Sequence, residues 1–124
     1  MKGNIQLKRV YDPLAKTDGA RFLVERLWPR GITKAALSDV VWLKDIAPST
    51  ELRKWFHHDP ERWSEFRTRY FTELKHQRDA LSPILAAADK GTVTLLYSSH
   101  DTERNNAVAL REFLQRLLRQ PRSA

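Results

Sequence analysis

The sequence predicts a single α/β domain, a layered sandwich in which helices flank a small, mostly parallel four-stranded sheet. Its 124 residues are the usual length of one domain, and 41% of them are hydrophobic, which is enough for a core. Short β-branched segments alternate with segments of helical periodicity, as in sheets covered by helices. Residues 92–98 are apolar without clean alternation, which is typical of a strand buried on both faces.

Three strands are predicted in the first part of the chain. Residues 5–11 alternate in polarity and form the first strand. Residues 21–27 form the second, and the Pro-Arg-Gly sequence at 29–31 breaks it. A short helix is expected over 33–37, and the β-branched and aromatic segment 40–46 is the third strand.

Helices are predicted in the middle of the chain. Ser49 is a natural N-cap for a helix that ends at the two histidines 57 and 58. Asp59, followed by a proline, starts a second helix. Apolar residues then recur at steps of three and four and form an amphipathic stripe: Trp63, Phe66, Tyr70 and Leu74.

The last third of the chain predicts a helix, a strand and a final helix. The third helix runs over 82–88 and stops near Gly91, before the strand 92–98. Asp101 or Thr102 is expected to cap the final helix, and Pro121 to end it. The buried face of that helix is expected to contain Ala107, Leu110, Leu114 and Leu117. We therefore expect one domain over 1–120 and a short tail over 121–124.

The charge of the chain lies at its two ends. The formal net charge is +7. Residues 1–34 contain eight Lys and Arg against three Asp and Glu, and residues 111–124 contain four against one. Basic segments of this kind can attract phosphates or nucleic acid. A basic surface that is simply solvated explains the same charge distribution equally well.

Several classes of protein are excluded by what the sequence lacks. The chain has no cysteine, which excludes disulfides, thiolate nucleophiles and cysteine-based metal sites. It has neither a signal peptide nor an apolar run long enough to span a bilayer, so we expect a cytoplasmic protein without a membrane partner. No Gly-rich phosphate loop, HxxxH or HExxH spacing occurs, so no cofactor and no metal site are predicted.

Polar residues follow three of the predicted strands, and the C-terminal tips of strands often carry the chemistry of α/β domains. These positions are the candidate site. Two residues are candidates for acid–base chemistry, namely Lys44 and Asp101. Four residues are candidates for ligand binding, namely Arg26, Arg30, Ser49 and Asn105.

Each of these candidates has a structural alternative. Glu25 and Arg26 are adjacent on a predicted strand and should point to opposite faces. Arg26 can then form an internal ion pair with Asp45 or Asp101, or join other cations in an anion clamp. That wider cationic group contains Arg9, Arg21, Arg26, Arg30, Lys44 and Arg53. Ser49 is better explained as a plain helix cap than as a phosphate ligand.

Residues 98–101, Ser-Ser-His-Asp, invite comparison with a hydrolase triad. The members of a triad meet in space and rarely in sequence, and no GxSxG motif is present. We therefore expect a polar strand end here.

Three segments resemble a known family. They are LVERLWPRG at 23–31, WLKDIAPSTELRKWFHHDPERWSEFRTRY at 42–70 and VTLLYSSHDTERNNAVAL at 93–110. On these motifs the chain is similar to the YeaO-like family of small bacterial proteins, domain of unknown function 488, over nearly all of residues 5–118. The resemblance implies no particular activity, substrate or cofactor. This chain has Ser-Ser-His at 98–100, where the family commonly has small residues and a basic one.

The sequence leaves three functions open, and does not decide whether the protein is an enzyme. The first is binding of, and action on, a phosphate-bearing or other anionic small molecule at the strand ends. The second is nucleic-acid binding or regulation, supported by the basic ends. The third is a non-catalytic module that dimerises through its aromatic helices, so that the protein is a monomer or a homodimer.

Overall fold

The protein contains the four-stranded sheet that the sequence predicts, and every strand pair in it is parallel, where the sequence predicts a mostly parallel sheet. The structure is a computed structural model that describes residues 4–119. The strands are β1 (Ile5–Arg9), β2 (Ala20–Leu23), β3 (Val41–Trp42) and β4 (Val93–Tyr97), in the order β1-β4-β2-β3. The last strand in sequence is therefore inserted between the first two, and all its residues are buried, as predicted for a central strand.

All four strands are shorter than the sequence predicts, β2 and β3 by the most. The pairing of β2 with β4 ends where Leu23 meets Leu96. Beyond that point the Ser98 N–H donates to the side chain of Glu25 instead of continuing the backbone ladder. The third strand ends at Trp42 because the backbone coils into a 3-10 helix, Lys44–Ile46.

Four α-helices complete the fold: α1 (Thr50–Phe56), α2 (Trp63–Lys75), α3 (Ser82–Lys90) and α4 (Asn106–Arg119). Ser49 caps α1 as predicted, since its Oγ accepts from the N–H of Leu52 at 3.1 Å. The segment after Asp59 begins as a short 3-10 helix, Pro60–Arg62, that leads into α2.

The predicted cap of α4 is wrong. Asn105, rather than Asp101 or Thr102, caps this helix, because its Oδ1 accepts from the N–H of Val108 at 3.0 Å. Asp101 instead caps a preceding turn by accepting from the N–H groups of Glu103 and Arg104. The predicted end at Pro121 and the tail 121–124 lie outside the described residues.

The core covers both faces of the sheet unequally. The larger cluster joins alternate residues of β4, namely Val93, Leu95 and Tyr97, to buried side chains of all four α-helices. The smaller cluster lies on the other face, around Leu23 and Leu96, and loops and short 3-10 turns cover it. Of the predicted face of α4, Ala107, Leu110 and Leu114 are buried, and Leu117 is partly buried against the same cluster. Within residues 4–119 no helix is both long and apolar enough to cross a bilayer.

Candidate functional site

A cavity of about 760 Å³ opens where β2 and β4 end. Ligands of open parallel sheets bind at this edge, outside the carboxyl ends of the strands. Four stretches of chain form most of its wall. They are residues 25–27 after β2, residues 98–101 after β4, the cavity-facing part of α1 with its C-terminal turn, and the pair Asn105 and Asn106 at the start of α4.

Arg26 joins two walls of this cavity. Its Nε donates to the carbonyl of Pro48 at 3.0 Å and its Nη2 to that of Ala47 at 2.8 Å, so the guanidinium holds the segment before α1 against the end of β2. Within residues 4–119 it forms no ion pair with Asp45 or Asp101, contrary to the structural alternative. Its charge is therefore not neutralised by a carboxylate.

Glu25 and Arg26 both line this cavity, where adjacent residues of a regular strand would point to opposite faces. The strand ends at Leu23, and the alternation of side chains does not continue to these two residues. Glu25 is half-buried, and its Oε2 accepts from the N–H of Ser98 at 3.1 Å. Burial raises the pKa of Glu25 above its ordinary value of 4.5, although this hydrogen bond and the charge of Arg53 oppose the shift.

Helix α1 contributes two further cations, Arg53 and Lys54. In the part of the chain that the structure describes, neither side chain forms an ion pair or a hydrogen bond, and Arg53 is half-buried. The nearby Glu25 attracts Arg53 electrostatically. Arg53 is roughly 100° around the helix from the buried Leu52 and lies at the edge of the apolar face. Lys54, one position further on, is exposed and lies on the opposite side of the helix.

The turn after α1 has an unusual backbone. His57 and His58 both adopt left-handed conformations, with φ of 45° and 55°. Residues with a Cβ adopt this region at a cost, and a left-handed residue commonly ends a helix. Both histidines line the cavity. Residues 4–119 contain no group of His, Asp and Glu side chains placed to hold a metal ion.

The polar segment after β4 is organised by Asp101. Its Oδ1 accepts from the N–H groups of Glu103 and Arg104, both at 2.9 Å, and its own N–H donates to Ser99 Oγ at 3.1 Å. The two hydrogen bonds to Oδ1 lower the pKa of Asp101 below its ordinary value of 3.8. Asn105 donates from Nδ2 to the carbonyl of Asp101 at 2.8 Å. Asp101 and Asn105 thus line the cavity while supporting its turn.

The structure brings together only some of the residues that the sequence singled out. Arg26, Asp101 and Asn105 line the cavity, whereas Arg30 and Lys44 do not. Arg30 is exposed, and its carbonyl accepts from the hydroxyl of Tyr11. Lys44 lies on the segment after β3, with its Nζ 5.5 Å from the centre of the Trp42 ring.

Ser49 does not line the larger cavity. Its hydroxyl donates to Glu73 Oε2 at 2.6 Å and its N–H to Glu73 Oε1 at 2.9 Å. It lines a second, smaller cavity of about 320 Å³, of which Arg26 is also a part. Its hydrogen bonds are those of a helix cap held by a carboxylate, which favours the structural explanation.

The sequence missed several residues of the larger cavity as site residues. Arg53 was only one of a broad cationic group, and Lys54 and Asn106 were not singled out. The signal that could have found Arg53 is its position at the edge of the apolar face of α1, directly after a segment that follows a strand, whereas Lys54 carries no such signal. Asn106 could have been found only once the true start of α4 was known.

Known proteins match the chain over almost its whole length. The model of the inactive DUF488-N3 subclade matches residues 4–124. The chain is 46% identical over 114 residues to the uncharacterised protein YeaO of Escherichia coli K12, across 92% of this chain and 99% of YeaO. It is 40% identical over 110 residues to the uncharacterised proteins Rv3073c of Mycobacterium tuberculosis H37Rv and Mb3100c of Mycobacterium bovis, across 89% of this chain and 92% of each relative. No solved structure matches it.

Proposed function

This chain belongs to the YeaO-like DUF488 family, within the subclade described as inactive, and we propose that it binds a small anionic molecule in the cavity at the ends of β2 and β4. One observation carries the proposal. Three cations, Arg26, Arg53 and Lys54, line this cavity, and none forms an ion pair with another of residues 4–119. Arg26 and Arg53 are half-buried and Lys54 is exposed. Partly desolvated cations that have no carboxylate within ion-pair distance favour an anionic ligand.

The size and chemistry of the cavity suit a phosphate-bearing molecule. Its volume lies within the range of roughly 300–1,000 Å³ that small-molecule sites occupy. The guanidinium of Arg53 offers a planar set of donors that matches a phosphate group, and Lys54 adds a flexible point charge beside it. Phe56 and Phe66 line the cavity as well and give it an apolar wall.

We favour binding over catalysis. Lys44, the sequence-based candidate for a base, does not line the cavity. Asp101, the candidate acid, uses one carboxylate oxygen to hold its own turn, and its other oxygen lies 3.6 Å from Arg104. The description of the subclade as inactive supports the same choice. The catalytic assignment of these two residues stays a prediction.

Titration calorimetry with inorganic pyrophosphate tests the proposal. The wild-type protein should give saturable binding. The Arg53→Ala variant should bind about tenfold more weakly or worse, since hydrogen bonds to a charged group contribute about 1.5–3 kcal/mol.

Lys34→Ala is the matched control, because Lys34 is an exposed cation that lines neither cavity. This variant removes the same unit of net charge and should bind like the wild type. Equal weakening of both variants, or no saturable binding by the wild-type protein, would contradict the proposal. Arg30→Ala belongs in the same series, since the sequence predicts weakening and the position of Arg30 outside the cavity predicts none.

A further inference from the structure

Glu25 is a group that anion binding alone does not explain. Its carboxyl group lines a cavity with three cations, where an ionised carboxylate would repel a phosphate. The other acidic residue of the cavity, Asp101, already has a local role in its turn. Glu25 accepts from the N–H of Ser98 and is also hydrogen-bonded by the side chains of Asn106 and Ser98, and the residue lines the cavity.

The wall around Glu25 is made of groups that bind neutral polar ligands. Ser98, Ser99 and Asn106 line the cavity next to it. The amide of Asn106 donates to the carbonyl of Val24 at 2.6 Å, which holds this side chain at the end of β2. The cations Arg53 and Lys54 come from another wall, on α1. The cavity therefore combines a cationic wall with one of hydroxyl, amide and carboxyl groups.

We infer that the ligand carries hydroxyl groups beside its anionic group, as in a phosphorylated sugar, either free or within a nucleotide, and that Glu25 determines this specificity by hydrogen-bonding a hydroxyl. The inference rests on the proposed function, since it assigns the second half of the same ligand. Acidic side chains bind ribose hydroxyls in this way in dinucleotide-binding folds.

The chemistry of the carboxyl group fits a hydroxyl in either protonation state. An ionised carboxylate accepts the hydroxyl proton, and a protonated one can donate to the hydroxyl oxygen while still accepting. Burial raises the pKa of Glu25, which reduces the fraction of the ionised form that would repel a phosphate bound at Arg53. A site built to bond a hydroxyl also rejects an analogue that lacks it, because the buried polar group then stays unpaired.

The test compares two phosphomonoesters that differ in their hydroxyl groups, ribose 5-phosphate and butyl phosphate. Calorimetry on the wild-type protein should show that ribose 5-phosphate binds about tenfold more tightly or better, the effect expected of one hydrogen bond to a charged or strongly polar group. Adenosine 5′-monophosphate is the third ligand. Tighter binding of this nucleotide than of ribose 5-phosphate identifies a nucleotide, and equal or weaker binding identifies the free sugar phosphate.

Two variants connect the preference to Glu25. Glu25→Ala should reduce the affinity ratio of the two phosphomonoesters to near one, while butyl phosphate still binds. Glu25→Gln keeps an acceptor for the N–H of Ser98, so it preserves the local fold, and it should lower the ratio several-fold because one acceptor oxygen becomes a donor. Glu61→Gln is the control, since Glu61 is exposed and does not line the cavity.

The outcomes separate this inference from the proposed function. If butyl phosphate and pyrophosphate bind but ribose 5-phosphate binds no more tightly than butyl phosphate, the inference is overturned and the proposed anion site stands. The same conclusion follows if the affinity ratio of the two phosphomonoesters in Glu25→Gln equals that of the wild type. If no phosphate compound binds, both the proposed function and this inference fail. If Glu25→Ala does not fold, the Glu25→Gln ratio decides.

Discussion

Asp18 is a buried carboxylate that holds the start of β2. Its Oδ1 accepts from Lys8 at 2.7 Å, and its Oδ2 accepts from Arg21 at 3.0 Å and from the N–H of Ala15 at 2.8 Å. Burial by itself raises the pKa of Asp18, but these hydrogen bonds outweigh burial and lower the pKa from 3.8 to about 2. An internal ion pair, which the sequence analysis considers for Arg26, is thus formed by Arg21 with Asp18.

The Asp18→Asn variant should lose about 3 kcal/mol of unfolding free energy, because it removes the carboxylate that pairs with Lys8 and one of the two that pair with Arg21. A carboxyl group with a lowered pKa in the folded state stabilises the protein above its unfolded pKa. The wild-type unfolding free energy should therefore fall by about 2 kcal/mol between roughly pH 4 and pH 2, as the unfolded chain takes up the proton first.

Urea titrations across that pH range measure both effects. The Asp18→Asn profile should lack this fall, whereas Asp45→Asn, at an exposed carboxylate, should follow the wild type. Parallel profiles for the wild type and Asp18→Asn would show that the network around Asp18 contributes nothing.

Among the helices and strands, the sequence predicts those features that depend on residues close together in the chain. The apolar stripe of α2 and the Ser49 cap are local features, and both are confirmed. The ends of β2 and β3 depend on hydrogen bonds to distant residues, such as that from Ser98 to Glu25, and local patterns do not contain them. Residues 101 and 105 are both good capping types, so composition alone could not place the start of α4.

Two glycines make a matched pair for testing how β2 begins. Gly19 and Gly31 both have positive φ, 67° and 79°. A Cβ at Gly19 would lie 2.1 Å from the carbonyl oxygen of Thr92, which also accepts from the N–H of Ala20 where β2 meets β4. A Cβ at Gly31 would meet nothing within 4 Å.

Gly31→Ala should therefore cost only the strained backbone, about 1 kcal/mol. Gly19→Ala should cost about 3 kcal/mol or more, because it adds a clash with backbone that cannot move without breaking the sheet. Thermal unfolding of both variants measures the difference. Equal losses would mean that the approach of Gly19 to Thr92 is not a constraint of the fold.

At the scale of the whole molecule, strand order decides which residues form the site. Because β4 lies beside β2, the segments that follow these strands meet, and Glu25 comes to lie against Ser98. The segment after β3 starts from the edge of the sheet, and its Lys44 stays outside the cavity. The sequence predicts polar strand ends, but strand order depends on long-range pairing that it does not reveal.

The two other functions that the sequence left open stay predictions. Part of the basic N-terminal segment is used internally, since Arg9 donates to the carbonyls of Ser98 and Ser99 and Arg21 pairs with Asp18 and Asp39. Fewer cations are then available for nucleic acid. The aromatic stripe of α2 is largely core, which leaves less of it for a dimer.

Backbone amide shifts mapped by NMR during a titration with pyrophosphate would locate the binding site, which we place in the cavity between the ends of β2 and β4. Saturable shifts should be concentrated in three stretches, residues 25–27, 53–58 and 98–106. Shifts confined to the basic ends of the chain, or spread evenly over surface lysines and arginines without saturation, would contradict this placement of the site.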